Sequence, residues 1–215
     1  MNTNKDSKRI LAYGDSLTWG RIANQFERYD VDTRWTGVLQ SELGDDYDVI
    51  EEGLRGRFLA GENPFVPNRD GLAQFGPILA SHFPLDLVII MLGTNDTNSK
   101  ANKSTDEIAR GLYNYFQEIN KWVTEFQVSK PRILVISPPL IDDTRLKENS
   151  MFEGATSKSQ NFAQEFEKVA NDQGVFYFDS SVYAPQDGED GVHISGESQQ
   201  SLGKNLAPFV REILV

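Results

Sequence analysis

The chain has 215 residues, 39% apolar and 25% charged, which suits one large domain with a sizeable core and disfavours disorder. Thirty-two acidic against 21 basic residues give a formal net charge of -11, which disfavours nucleic acid and a polybasic membrane anchor. The chain has no cysteine, which excludes disulfides, thiolate zinc sites and a cysteine nucleophile.

The N-terminus, "MNTNKDSKRI", lacks the apolar core of a signal peptide. Residues 1–8 are therefore expected to be a polar extension of a single domain over 1–215, with a cytoplasmic location. "RILAYGD" (9–15) is predicted to be the first strand. "TRWTGVLQSELG" is a short helix ending at Gly44, and "YDVIEEG" (47–53) is the second strand. His82 in "ASHFP" closes a predicted helix before Pro84, where histidine suits the helix dipole. "DLVIIMLG" (86–93) is the strongest strand; its run "LVIIML" (87–92) is too short to span a bilayer.

Ser104 and Glu107 form a capping box, which opens a helix through Gln127. Its apolar stripe is Ile108, Leu112, Tyr115, Phe116, Ile119, Trp122, Val123 and Phe126. "RILVISP" (132–138) and "VFYFD" (175–179) are the fourth and fifth strands. Between them, Phe162, Phe166 and Val169 mark a helix stopped by Gly174. Leu202, Leu206, Phe209, Val210 and Ile213 mark the last helix. Strands apolar on both faces, alternating with helices, imply a parallel sheet covered on both sides. Ligands in such folds sit beyond the carboxyl ends of the strands.

The residues at those ends are "GDSLTWG" (14–20), "GLRGR" (53–57), "GTND" (93–96) and "DGVH" (190–193). Acyl transfer needs a nucleophile, a base, a group that orients the base, and donors for the oxyanion. Ser16 is the candidate nucleophile. His193 suits the base, because an unperturbed imidazole (pKa about 6.5) is mostly neutral at pH 7. Asp190, three residues earlier, can orient its ring. The amides of Ser16 and Gly56 and the side chain of Asn95 can receive the oxyanion. Each residue also has a plainer role open to it. Ser16 could cap a helix, Asp190 and His193 could cap the last one, Asn95 could sit in a turn, and Gly56 could be a turn glycine. A metal site from Asp96, Asp190 and His193 is short of histidines.

The four blocks, in order and spacing, resemble the SGNH (GDSL) hydrolases. "RILAYGDSLTWG", "RWTGVL", "VIEEGL" and "PLDLVIIMLGTNDT" are similar to the bacterial arylesterase and acyltransferase branch. The resemblance implies a flavodoxin-like three-layer α/β/α sandwich with a five-stranded parallel sheet ordered 2-1-3-4-5. It implies Ser16, Asp190 and His193 as catalytic residues, with Ser16, Gly56 and Asn95 as the oxyanion hole. It also implies no metal or organic cofactor, small-molecule ester and alcohol substrates, and a homo-oligomer. The expected activity is hydrolysis of short-chain acyl esters, such as aryl or alkyl acetates, with acyl transfer to alcohols possible on the same machinery. A carbohydrate acetylesterase and a non-catalytic binding module are the alternatives.

Trp19, Phe65, Phe152 and Arg55 are candidate substrate contacts, with Phe58 and Pro67 as further pocket candidates. Arg55 and Arg57 both flank Gly56. They are expected to face solvent or a subunit contact, unless one guanidinium at the mouth favours an acidic or polar acyl group.

Overall fold

In a computed structural model, which describes residues 4–215, five strands form one parallel sheet. They are β1 (Lys8–Gly14), β2 (Tyr47–Gly53), β3 (Leu87–Met91), β4 (Arg132–Ser137) and β5 (Phe176–Asp179), in the order β2-β1-β3-β4-β5. Fold class and strand order agree with expectation. Of the polar extension, residues 1–3 lie outside the described residues, and Lys8 already belongs to β1.

Alternate side chains of each strand enter opposite layers. Leu11, Tyr13, Val88, Ile90, Ile133 and Val135 face one core. It is covered by α3 (Gly71–His82), α4 (Thr105–Arg110), α5 (Leu112–Phe126) and α7 (Phe162–Gln173). Ile10, Ala12, Leu87, Ile89, Met91, Leu134 and Ile136 face the other. There α2 (Trp35–Leu43) and α8 (Gly196–Ile213) close the layer. Two short helices complete the set: α1 (Ser16–Trp19), directly after β1, and α6 (Ala155–Ser159).

The helix expected over 104–127 is two. The capping box at Ser104 is present, but α4 ends at Arg110 and α5 begins at Leu112. A Cβ on Gly111, between them, would lie 2.2 Å from Leu59 Cδ2. The loop after β2 thus packs Leu59 tightly against the chain where α4 gives way to α5. Leu59 and Tyr115 are both fully buried in this contact region, and the Tyr115 hydroxyl donates to the Leu59 carbonyl at 2.5 Å.

The strand ends are packed as tightly. Gly14 pairs with Gly53 and with Met91 in the sheet register. A Cβ on Gly53 would sit 2.3 Å from the Trp19 backbone nitrogen, and one on Gly14 would sit 2.0 Å from Thr18 Oγ1. These two glycines let α1 lie directly on the sheet edge. Gly53→Ala is expected to lower unfolding free energy by about 1–3 kcal/mol, the usual cost of overpacking. It is also expected to reduce activity, because α1 carries Ser16; a denaturant melt matching wild type would show that the contact is relieved without cost.

Candidate active site

Asp15, not Ser16, caps the helix after β1. Its Oδ1 accepts the Leu17 N–H at 2.9 Å, and α1 ends on Gly20 in the left-handed region. Ser16 is thus the first helical residue, its hydroxyl free for other work and its N–H at a helix N-terminus. Likewise the last helix is capped by Ser195, which leaves Asp190 and His193 uncommitted to that role.

Ser16, His193 and Asp190 come together although 177 residues separate the first two. The Ser16 Oγ lies 2.9 Å from His193 Nε2. His193 Nδ1 lies 2.7 Å from Asp190 Oδ2. An ionised carboxylate only accepts, so Nδ1 carries the proton and Nε2 is left to accept from the serine hydroxyl. Asp190 also accepts the backbone N–H groups of Val192 (3.0 Å) and His193 (2.8 Å). Burial opposes its charge, but the hydrogen bonds and charge of His193 outweigh that and hold the carboxyl well below the usual range. Gly191 makes this turn possible with a φ of 73°, and a Cβ there would strike the Asp142 carbonyl at 2.3 Å.

Gly56 has a φ of 75°, and its carbonyl accepts from Asn63 Nδ2 at 2.9 Å. Asn95 opens a single 3-10 turn, Asn95–Thr97, so it is a turn residue as well as a cleft residue. Its carboxamide nitrogen donates to Asp15 Oδ2 (3.2 Å) and to the Arg57 carbonyl (3.0 Å). An amide NH₂ has two hydrogens. To donate to a substrate oxygen, Asn95 must share one of these bonds.

Arg57 departs from expectation. It is only 3% exposed, and its guanidinium donates to the Gly14 carbonyl at 2.8 Å and lies over the Tyr13 ring. Its charge goes into holding the end of β1 against the loop after β2, not to solvent or a partner. Asp96 is buried too. It accepts the Leu59 N–H at 2.7 Å and Lys103 Nζ at 2.7 Å, and Lys103 also donates to the Ala60 carbonyl. Arg57 was marked in the sequence by its place beside Gly56 but not its inward role, and neither Lys103 nor Gln199 was marked at all. Gln199 ties α8 to the Leu17 carbonyl and the Trp35 N–H, both at 3.0 Å. Their only signal was polarity at positions that the helical and strand periods assign to the interior or leave to loops.

The cleft over Ser16 encloses about 260 Å³, lined by Ser16, Gly56, Asn95 and His193 together with Arg21, Arg55, Asn63, Val66, Arg69, Met151, Phe152 and Val192. Phe152 and Arg55 are thus in its wall. Trp19, Phe58, Phe65 and Pro67 are not. Phe58 is core, only 2% exposed, and Phe65 lies on the surface beneath Lys100. His82 pairs with Glu52 at 2.9 Å, away from the cleft.

The chain matches the model of the GDSL-like lipase/acylhydrolase family over residues 12–200. Among solved structures it is similar to an aryl esterase of M. smegmatis: 36% identity, 97% of this chain and 100% of that one, TM-score 0.90. It is also similar to Est24, a carbohydrate acetylesterase of Sinorhizobium meliloti: 34% identity, 96% and 100% coverage, TM-score 0.90. A member of the lipolytic G-D-S-L family from Veillonella parvula shares the fold at 13% identity, TM-score 0.68. No curated protein sequence matches.

Asp15 provides a test of the site's electrostatics. Burial pushes its carboxyl from 3.8 up to about 7, despite the Leu17 N–H, and the nearby Asp96 adds to the shift. A carboxyl raised in the folded state contributes fully below its unfolded pKa and loses that contribution as pH rises through the folded value. The melting temperature of wild type should therefore decline relative to Asp15→Asn between about pH 4 and 7. Parallel pH profiles of the two proteins would contradict the shift.

Proposed function

The chain belongs to the GDSL-like lipase/acylhydrolase family and is an ester hydrolase of the SGNH type, and from this premise we propose that it cleaves short-chain acyl esters through an acyl-Ser16 intermediate. The carrying observation is the continuous contact from Ser16 Oγ to His193 Nε2 and from His193 Nδ1 to Asp190.

Ser16 Oγ attacks the ester carbonyl as His193 Nε2 takes its proton. Asp190 stabilises the imidazolium and keeps the ring in register. The oxyanion is received by the N–H groups of Ser16 and Gly56 and by the carboxamide of Asn95. The tetrahedral intermediate collapses, His193 returns the proton to the leaving alkoxide, and the alcohol departs. Water then attacks the acyl group with His193 again as base, releasing the acid and free Ser16. Another alcohol in place of that water would make the reaction an acyl transfer. A carbohydrate acetylesterase would use the same residues; the likeness to Est24 supports that reading, and an acetylated sugar beside aryl and alkyl acetates in one assay panel separates the two.

Ser16→Ala should abolish turnover and covalent labelling by a fluorophosphonate, with an unchanged melt. Wild-type turnover in that variant would rule the mechanism out. Asn95→Ala should lower kcat by about 10²–10³, the usual worth of one oxyanion donor. A change confined to KM would mean that Asn95 binds substrate and transition state equally well. Asp190→Asn should reduce kcat by a factor of about 10²–10⁴ by weakening control of the ring and of its developing charge. Retained kcat would remove Asp190 from the mechanism.

A further inference from the structure

The cleft over Ser16 is cationic in a chain that is strongly acidic overall. Three arginines line it: Arg21, Arg55 and Arg69. They are not equivalent. Arg69 is largely committed to the backbone, donating to the carbonyls of Arg55 (2.7 Å), Pro67 (3.1 Å) and Asn68 (3.0 Å). Arg21 uses only its Nε, on the Gln25 carbonyl at 3.2 Å. Arg55 makes one long contact, 3.4 Å to the Phe26 carbonyl. Among the described residues neither Arg21 nor Arg55 has a carboxylate within ion-pair distance.

The charges nearest these two arginines have other partners. Arg28 and Arg34 share Glu51, and Asp190, the carboxylate nearest Arg21 in effect, is held by His193. Arg21 also lines an adjoining cleft that carries Glu148 and Asp190, neither of them in an ion pair with it. Arg55 is also held in place. Its guanidinium lies 5.3 Å from the Trp19 ring centroid and 5.5 Å from that of Phe26. Arginine stacked on aromatic faces keeps its in-plane N–H groups available for a planar acceptor. Trp19, which does not touch the cleft, thus acts through Arg55. Both guanidiniums line the same cleft, and burial first, then the like charge of Arg55, lower the pKa of Arg21, with Asp190 offsetting part of the shift. Two unpaired like charges in one half-buried cleft are costly unless an anion completes the set.

We propose that Arg21 and Arg55 form a carboxylate clamp, so that the preferred substrate is an ester carrying a carboxylate a few bonds from the scissile carbonyl. This rests on the serine esterase reading and adds the substrate class. A planar carboxylate fits bidentate guanidinium donors, and the volume of the cleft suits a small ester.

The test compares charged and neutral esters in pairs. Methyl hydrogen succinate against methyl butyrate places the carboxylate on the acyl half. O-Acetylglycolate against propyl acetate places it on the alcohol half. The readout is the charged-to-neutral ratio of kcat/KM in wild type, Arg21→Gln, Arg55→Gln and Arg55→Lys. In at least one pair the ratio should fall about tenfold in each Gln variant, the scale of one charge-assisted hydrogen bond. Arg55→Lys should recover part of it, and added sodium chloride should lower it in wild type. The pair that responds shows which half of the ester meets the clamp. A ratio unchanged by both Gln variants in both pairs overturns the proposal. Fluorophosphonate labelling of Ser16 and turnover of propyl acetate report on the esterase reading separately, so the two can fail independently.

Discussion

The site depends on one buried carboxylate. Asp15 has no solvent exposure and uses both oxygens: Oδ1 starts α1, and Oδ2 holds the Asn95 carboxamide. One side chain thereby fixes the candidate nucleophile, its neighbour in the chain, and a candidate oxyanion donor 80 positions away. The helix it caps is a single turn, too short to be stable alone. It persists because Gly14 and Gly53 let it rest on the sheet and because Gln199 grips its Leu17 carbonyl.

Two carboxylates near Ser16 are driven in opposite directions. Asp15 accepts from two amide donors, but burial in the dry interior first, and the charge of Asp96 in addition, disfavour its own charge. Asp190 is partly exposed and receives three backbone N–H groups, from Asn24, Val192 and His193, and the imidazole, so its charge is favoured. The difference suits their positions. A fixed negative charge is useful behind a base that becomes positive, and a weakly charged group is preferable behind donors that must stabilise an oxyanion.

The loop after β2 couples these elements to the cleft. Arg57 joins it to the Gly14 carbonyl, and Lys103 and Asp96 anchor it at Leu59 and Ala60. Leu59 is buried in the core against Gly111, where α4 gives way to α5. With both sides of Gly56 held, it lines the same cleft as Ser16, and Arg55 is carried to the cleft wall with Trp19 and Phe26 against it.

Periodicity and short motifs alone marked the five strands, the main helices and the strand-end clusters, and offered Ser16, Gly56, Asn95, Asp190 and His193 as candidates whose roles came from the family resemblance. These are local signals: an alternating or threefold-fourfold apolar pattern, a capping box, a Gly or Asp next to a strand end. Strand order came from resemblance, since a crossover leaves no mark of its own in the chain. Tertiary structure decided what depends on partners distant in sequence. It turned Arg57 inward, made Asp15 the cap, split a helix whose apolar stripe is unbroken, removed Phe58 and Phe65 from the cleft wall, and left Arg21 and Arg55 there without carboxylates. A residue's type limits the bonds it can make, but only the packed chain determines which acceptor is within reach and whether water is still present to compete for it.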